Sequence, residues 1–299
     1  MIQRTLYVGN PYHLSLELGQ MVLRPKDPAA QAGRVPIEDL GYLVLDNPQI
    51  SLSQALLAAL GQANVALVVC DEKRLPVAQL LGYRGHHAQN LTYRHQVAAS
   101  APLVKNLWKQ TTVAKILNQA ALLQSRGLPA DDLRALAAKV RSGDPENLEA
   151  QAARKYWPRL FGPDFLRDRH GPWPNAALNY GYAVLRAGAA KALVGAGLLP
   201  GLGIHHHSRY NPYCLADDIM EPFRPFVDQA VAEWTDQEPD AFELGLPLKA
   251  ALLETLQVDA HFLLITRPLA LALAQSAASL AQCFRKEARN LAFPELFKP

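Results

Sequence analysis

The hydrophobic period of this chain changes once, and that change restricts the folds open to it. Before about residue 80, apolar residues form short runs that read as strands at 4–8, 21–24, 42–45 and 64–70, the last closed by Asp71-Glu72. Gly9-Asn10-Pro11 and Asp46-Asn47-Pro48 separate them as turns. Leu52, Leu56, Leu57 and Leu60 share one face of a helix expected over 51–61, with Ser51 or Ser53 as its cap. From about Leu103 the spacing becomes helical. A long amphipathic stretch carries Val104, Leu107, Trp108, Val113, Ile116, Leu117 and Leu122. Further helices are expected over 131–140, 148–156, 175–196, 217–234, 248–256 and 263–284, the last interrupted at Pro268. The expected architecture is α+β: a small N-terminal β-rich domain (1–80), a linker (81–100) and a larger all-α domain (101–299).

A 299-residue chain with 49% hydrophobic residues can fill one large core or two smaller ones. The net charge of +3 permits a polyanionic partner without demanding one. Cys70, Cys214 and Cys283 lie far apart, which points to reduced thiols rather than a disulfide framework. The start has no signal-peptide plan, and the longest apolar stretches are broken by Arg186, Lys191, Arg267 and Pro268. A cytoplasmic protein without a membrane partner is therefore expected. Neither a Walker-type glycine-lysine loop nor a dinucleotide fingerprint is found, which argues against a nucleotide-binding enzyme.

Two stretches carry candidate chemistry. Asp144-Pro145 precedes the helical run at 148–156, so Asp144 is expected to cap it and Pro145 to open it, with Glu149 about a turn inside. Downstream, His205, His206 and His207 follow a glycine- and proline-containing approach at 199–203. Adjacent side chains diverge, so one of the three is expected to bind a metal. Asp218 and Glu221 stand three apart and share a face if helical. Pro222 lacks an N–H, so a kink or tightening there would re-aim Glu221. Carboxylates with a single imidazole suit Mg²⁺ or Mn²⁺ rather than structural zinc. Such an ion polarises a phosphoryl oxygen. Arg154, Lys155, Arg209 and Arg224 are then candidates for holding backbone phosphates. Arg84, Arg94, Lys105, Lys109 and Lys115 form a second basic group, with Tyr83 or Tyr93 available for stacking on exposed bases. The plainer reading of each is a capped surface helix or a solvated charge.

On these residues the chain resembles the CRISPR-associated adaptation integrases (the universal Cas integrase/endonuclease subunit), in the type II branch and within it subtype II-C. The matching strings are 148–157, ending in Tyr156-Trp157, 175–182, 203–207, and the long string 211–225 that contains Asp217-Asp218 and Met220-Glu221-Pro222. By motif, Glu149 resembles the family's first ligand, His206 its histidine ligand and Glu221 its last acidic ligand. Asp218 takes a supporting acidic position and joins the expected metal set. His205 and His207 leave the histidine register open by one residue. The resemblance implies a homodimer through the β-rich domains, a catalytic helical domain and a small second CRISPR adaptation protein as partner. It also implies double-stranded prespacer DNA and CRISPR leader–repeat DNA as substrates, with the type II effector nuclease helping to select prespacers. The implied reaction joins prespacer 3′-hydroxyl ends to the repeat by direct transesterification, with Mg²⁺ or Mn²⁺ as cofactor. Two other readings stand beside it: a metal-dependent endonuclease that uses water on branched or single-stranded DNA, and a non-catalytic DNA-binding scaffold.

Overall fold

The computed structural model describes residues 4–72, 74–83, 85–239 and 242–296. The chain divides into two compact units, Met1–His87 and Ala88–Pro299. The first contains β1 (Arg4–Val8), β2 (Tyr12–Glu17), β3 (Gln20–Pro25), β4 (Gly33–Pro36), β5 (Leu40–Leu45), β6 (Ser51–Leu52), α1 (Gln54–Gln62), β7 (Ala66–Cys70) and β8 (Pro76–Leu80). One sheet runs β1-β5-β7-β8, the other β4-β3-β2-β6. β5 pairs in parallel with both β1 and β7, and all six of its residues are buried, as befits a central parallel strand. Leu14, Met21, Leu43, Leu56, Leu60 and Leu67 draw both sheets and α1 into one core. Ser53 accepts the Leu56 N–H at 3.3 Å and caps α1, while Ser51 belongs to β6.

The sequence reading contains no strand at β2, β4, β6 or β8. β2 joins β3 through Leu18 (φ 48°) and Gly19 (φ 75°), and a leucine at that place conceals a tight turn that Asn or Asp would advertise. β8 exposes Val77, so the apolar alternation of a half-buried strand is lost.

The second unit contains α2 (Gln89–Val97), α3 (Ala101–Ser125), α4 (Asp131–Lys139), α5 (Leu148–Phe161), α6 (Asn175–Gly195), α7 (Cys214–Ile219), α8 (Arg224–Gln237), α9 (Leu246–Glu254), β9 (Asp259–Phe262), β10 (Ile265–Pro268), α10 (Leu269–Phe284) and β11 (Pro294–Glu295). The stretch read as a linker carries α2. Its anchor is polar: Gln96 donates to the Leu199 and Leu202 carbonyls, both at 3.1 Å, and accepts the Leu199 N–H at 2.9 Å. Hydrophobic periodicity does not register such an anchor. The all-α expectation is also amended. A three-stranded sheet, β10-β9-β11, lies where one interrupted helix was expected to begin. Leu263 turns the chain with φ 57°, and Pro268 closes β10 and leads into α10. The unit remains mostly helical.

α3 packs against α4, α5 and α8, and α6 against α7, α8, α9 and α10. α6 and α8 approach closely at Gly181, where a Cβ would run into the Val227 side chain. One face of α3 buries Thr111, Thr112, Lys115, Asn118 and Gln119 among apolar neighbours. Buried polar groups need partners, and the partners of Lys115 and Asn118 in this stripe define the site. Among the described residues, no helix is long and apolar enough to cross a membrane.

Candidate active site

Glu149 is fixed by the start of α5. Asn147 occupies the cap position in the left-handed conformation and accepts the Ala150 N–H at 3.4 Å. Asp144 also caps, from further back than the sequence reading placed it. Its carboxylate accepts the N–H groups of Leu148 (2.9 Å) and Glu149 (3.0 Å), and Pro145 lies in the turn ahead of the helix. Glu149 thus sits in the first helical turn, where the backbone dipole favours a negative charge.

Glu221 is aimed by the helix break. Pro222 supplies no N–H, and Glu221–Phe223 form a 3₁₀ turn between α7 and α8. The Pro222 carbonyl accepts from Asn118 at 2.7 Å; the same amide donates to the Pro294 carbonyl at 3.0 Å and accepts the Leu296 N–H at 3.1 Å. This clamp seats the turn against α3.

The two carboxylates meet on Lys115. Its ammonium contacts Glu149 Oε1 and lies 2.5 Å from Glu221 Oε2. Burial alone would lower the Lys115 pKa, but Glu221 and Glu149 outweigh it and the net direction is upward. Burial would likewise raise Glu221, but Arg224 and Lys115 hold it down at about 2. Both groups are therefore charged near neutral pH. Arg224 donates to Glu221 Oε1 at 2.9 Å and lies over the Tyr182 ring at 4.4 Å. Arg167, held by Asn175 (2.9 Å) and Asn179 (2.7 Å), faces the same ring at 5.3 Å. The two arginines, Tyr182, Lys115 and the two glutamates line a cavity of about 250 Å³ together with Gln119, Trp157 and Asp228. Lys115, Arg167 and Arg224 balance Glu149, Glu221 and Asp228 there, charge for charge. Asp228 accepts from Tyr156 Oη at 2.8 Å and from Tyr182 Oη, and burial pushes its carboxyl up to about 6.

Asp218 serves differently. It is fully buried, and its Oδ2 accepts the N–H groups of Ile204 (2.6 Å) and His205 (3.0 Å). Its Oδ1 accepts the His206 N–H (3.1 Å) and pairs with His206 Nδ1 (2.6 Å). Gly203 is required beside it: a Cβ would strike the His206 carbonyl and stand 2.8 Å from Asp218 Oδ2. The hydrogen bond to Asp218 raises the His206 pKa, and Nε2 is left as the nitrogen open to a ligand. His205 instead stacks on Trp108, with centroids 3.9 Å apart and planes 2° apart. Burial lowers its pKa. Of the three histidines, His206 has its ring oriented by a carboxylate.

A hard divalent cation fits part of this arrangement. Two carboxylates from different elements already converge on one positive charge. Glu221 Oε2 faces that charge yet has no properly directed hydrogen bond, a condition that a non-directional ion would relieve. The three-ligand set of Glu149, His206 and Glu221 is not closed: among the described residues no three such groups converge as a metal cage. Asp218, a member of the expected metal set, has both of its oxygens bonded to the loop N–H groups and the His206 ring.

The basic candidates divide as sharply. Arg224 lines the cavity. Lys155 is spent on Asp132 at 3.1 Å, and Arg209 folds over the Tyr210 ring at 4.7 Å. Arg94, Lys105 and Arg154 are exposed and Lys109 is half-buried, all away from the cavity lining. Arg84 lies outside the described residues. Sequence reasoning missed the central place of Lys115 and the roles of Arg167, Tyr182 and Asp228. The available signal was Lys115 itself, one turn from Thr111 and Gln119 on the inward face of a long helix.

Comparison with known proteins gives a consistent result. The family model described as CRISPR associated protein Cas1 matches residues 6–243. The CRISPR-associated endonuclease Cas1 of Neisseria meningitidis serogroup C (strain 8013) is 41% identical over 258 residues, covering 86% of this chain and 84% of that protein. A casposase bound to its integration product shares the fold with a TM-score of 0.79 at 18% identity, over 97% of this chain and 92% of the other. A chain of a Cas6-RT-Cas1–Cas2 complex does so with a TM-score of 0.74 at 18% identity, over 99% of this chain and 36% of the other.

Proposed function

The chain belongs to the CRISPR associated protein Cas1 family, and from that premise we propose that it is a metal-dependent DNA integrase of CRISPR adaptation. The observation that carries the reading is the convergence of Glu149 and Glu221 on a single positive charge, in a cavity that also presents Arg167 and Arg224. Glu149, Glu221 and His206 Nε2 would hold Mg²⁺ or Mn²⁺, which supplies polarisation of a phosphoryl oxygen when bound. Asp218 keeps His206 in the tautomer that leaves Nε2 free. Arg224 and Arg167 grip the non-bridging oxygens of the repeat phosphate and offset its charge. The prespacer 3′-hydroxyl gives up its proton as its oxygen attacks that phosphorus, and the repeat's own 3′-oxygen leaves and takes up a proton. One P–O bond forms and one breaks, so the exchange needs no external energy source. Holding the prespacer 3′ end and the repeat phosphate in one site turns a bimolecular attack into an effectively intramolecular one.

The substrates in this reading are double-stranded prespacer DNA and CRISPR leader–repeat DNA. The partners are a second copy of the chain through the β-rich unit (1–80 in the sequence reading) and the small second adaptation protein. The resemblance to a chain of a Cas6-RT-Cas1–Cas2 complex supports the latter. The matching strings favour a type II system, subtype II-C, in which the effector nuclease helps to choose prespacers. A second reading, hydrolytic DNA cleavage, uses the same residues with water as nucleophile and is favoured by the endonuclease name of the 41% identical relative.

The test is joining of a labelled prespacer to a leader–repeat plasmid, with the small partner present. Glu149→Ala, His206→Ala and Glu221→Ala are compared with the wild type. Joining that needs Mg²⁺ or Mn²⁺ and disappears in all three variants is expected. Cleavage without joining would move the conclusion to the hydrolytic reading, and unchanged joining in the variants would remove the site.

A further inference from the structure

Lys115 stands where the proposed divalent ion would have to stand. Its ammonium touches carboxylate oxygens of both Glu149 and Glu221, and it reaches them from α3, a third element. The contact with Glu221 Oε2 matches charge without matching hydrogen-bond direction. One turn along α3, Gln119 is 2% exposed and lines the same cavity, and its side-chain oxygen has no hydrogen-bond partner among the described residues. The lysine has four rotatable side-chain bonds, and a buried acceptor lies within the same cavity.

We propose that Lys115 is the resident counter-cation of the carboxylate pair, that a divalent ion loads by displacing its ammonium, and that Gln119 receives the displaced group. This rests on the reading that Glu149 and Glu221 hold the ion. The ammonium and a divalent ion cannot occupy the same position between Glu149 and Glu221, and with Arg224 already on Glu221 Oε1 each further cation raises the cost of seating the others. Lys115 therefore sets the affinity of the site for metal. It also keeps two carboxylates, one of them nearly buried, close together between loadings. The same substitution of charges makes the cavity positive: with an added divalent ion and Lys115 retained at Gln119, the lining gains two positive charges and accepts a phosphate.

The experiment measures Mn²⁺ binding to the full-length protein without DNA, following the free-ion signal by electron paramagnetic resonance. Wild type is compared with Lys115→Met, Lys115→Arg, Gln119→Leu and Glu149→Gln. Removing the competing charge in Lys115→Met is expected to tighten Mn²⁺ binding tenfold or more. Lys115→Arg keeps the charge and adds a two-pronged grip on carboxylates, so it is expected to weaken binding below wild type. Gln119→Leu removes the berth and is expected to weaken binding severalfold. Should Lys115→Met fail to fold with its two carboxylates uncompensated, the wild type against Lys115→Arg and Gln119→Leu still decides. Equal Mn²⁺ affinity in wild type and both Lys115 variants, with binding lost in Glu149→Gln, would overturn the displacement while leaving the metal site standing. Binding in none of the proteins, or binding unaffected by Glu149→Gln, would overturn the metal site and the displacement with it.

Discussion

The loop around Asp218 and the cavity around Glu221 hold two acids three residues apart, and they satisfy them in opposite ways. Asp218 is surrounded by fixed donors: three backbone N–H groups and an imidazole. Glu221 is met by side-chain cations, Lys115 and Arg224. Backbone donors do not leave, so the Asp218 carboxylate is part of the architecture. Side-chain cations can be exchanged, which is what the proposed metal loading asks of the Glu221 carboxylate. What satisfies a buried acid distinguishes the two roles better than burial, since both are almost completely buried.

The contrast breaks first at Asp218. Asp218→Ala strands three N–H groups and frees the His206 ring. A loss of about 3–5 kcal/mol in unfolding free energy is expected, together with loss of DNA joining. Denaturant titration and the joining assay on the same preparation check it. If the protein keeps wild-type stability, Asp218 is not architectural and the comparison fails.

Glu149→Gln probes the exchangeable pole, where the side chain is more open to solvent. Joining should fall roughly a thousandfold, whereas stability should change by no more than about 1 kcal/mol. A large stability loss would mean that the pair with Lys115 is structural after all.

Asp228 offers an intermediate case, an acid satisfied by two neutral hydroxyls. Its folded pKa of about 6 stands above its ordinary value of 3.8. The folded protein therefore binds the proton more tightly than the unfolded chain. This group's contribution is greatest below about pH 4 and is lost as pH rises toward 6. Asp228→Asn removes that dependence. The stability of the variant relative to wild type should climb between pH 4 and 6.5, by roughly 3 kcal/mol at most. Urea titrations across that range would show it; a flat difference would mean that the two tyrosines fully compensate the charge.

The smallest effect is expected at Trp108, whose ring stacks on His205 and meets His206 edge-on at 6.1 Å. Trp108→Leu should cost about 2 kcal/mol of stability and reduce joining about tenfold. Because Asp218 rather than Trp108 orients His206, a loss of joining as deep as that of Asp218→Ala would contradict the assignment.

The parts that were legible in the sequence share a physical trait: their signals are local. The change of period located the β-rich and helical units, and the strand at β5 and the cap at Ser53 follow from short windows. The break at Pro222 was legible for the same reason, because proline's missing N–H acts within a turn. Asp218 and Glu221 looked like one ligand pair since their spacing suits a continuous helix, yet the 3₁₀ turn between α7 and α8 sends them to different partners. The sequence places Lys115 with the basic group of 84–115 suited to gripping nucleic acid, because hydrophobic periodicity scores a lysine as outward-facing. Its inward direction is decided by carboxylates 34 positions away and further. Tyr156, Tyr182 and Asp228 meet across separations of 72 and 46 residues, which no local pattern encodes. β9 and β10 were hidden because a helix and a hairpin both tolerate a short apolar run.

The Asn118 clamp makes the segment at 294–296 a mechanical support of the candidate site. Pro294 and Leu296 occupy two of the amide's three bonds, and the third supports the carbonyl next to Glu221. Trimming the chain ahead of Pro294, or fusing a bulky tag that drags this segment away, would let the amide rotate and loosen the turn that aims Glu221. A polypeptide clipped there can therefore retain Glu149 and Glu221 and still lose the alignment between them.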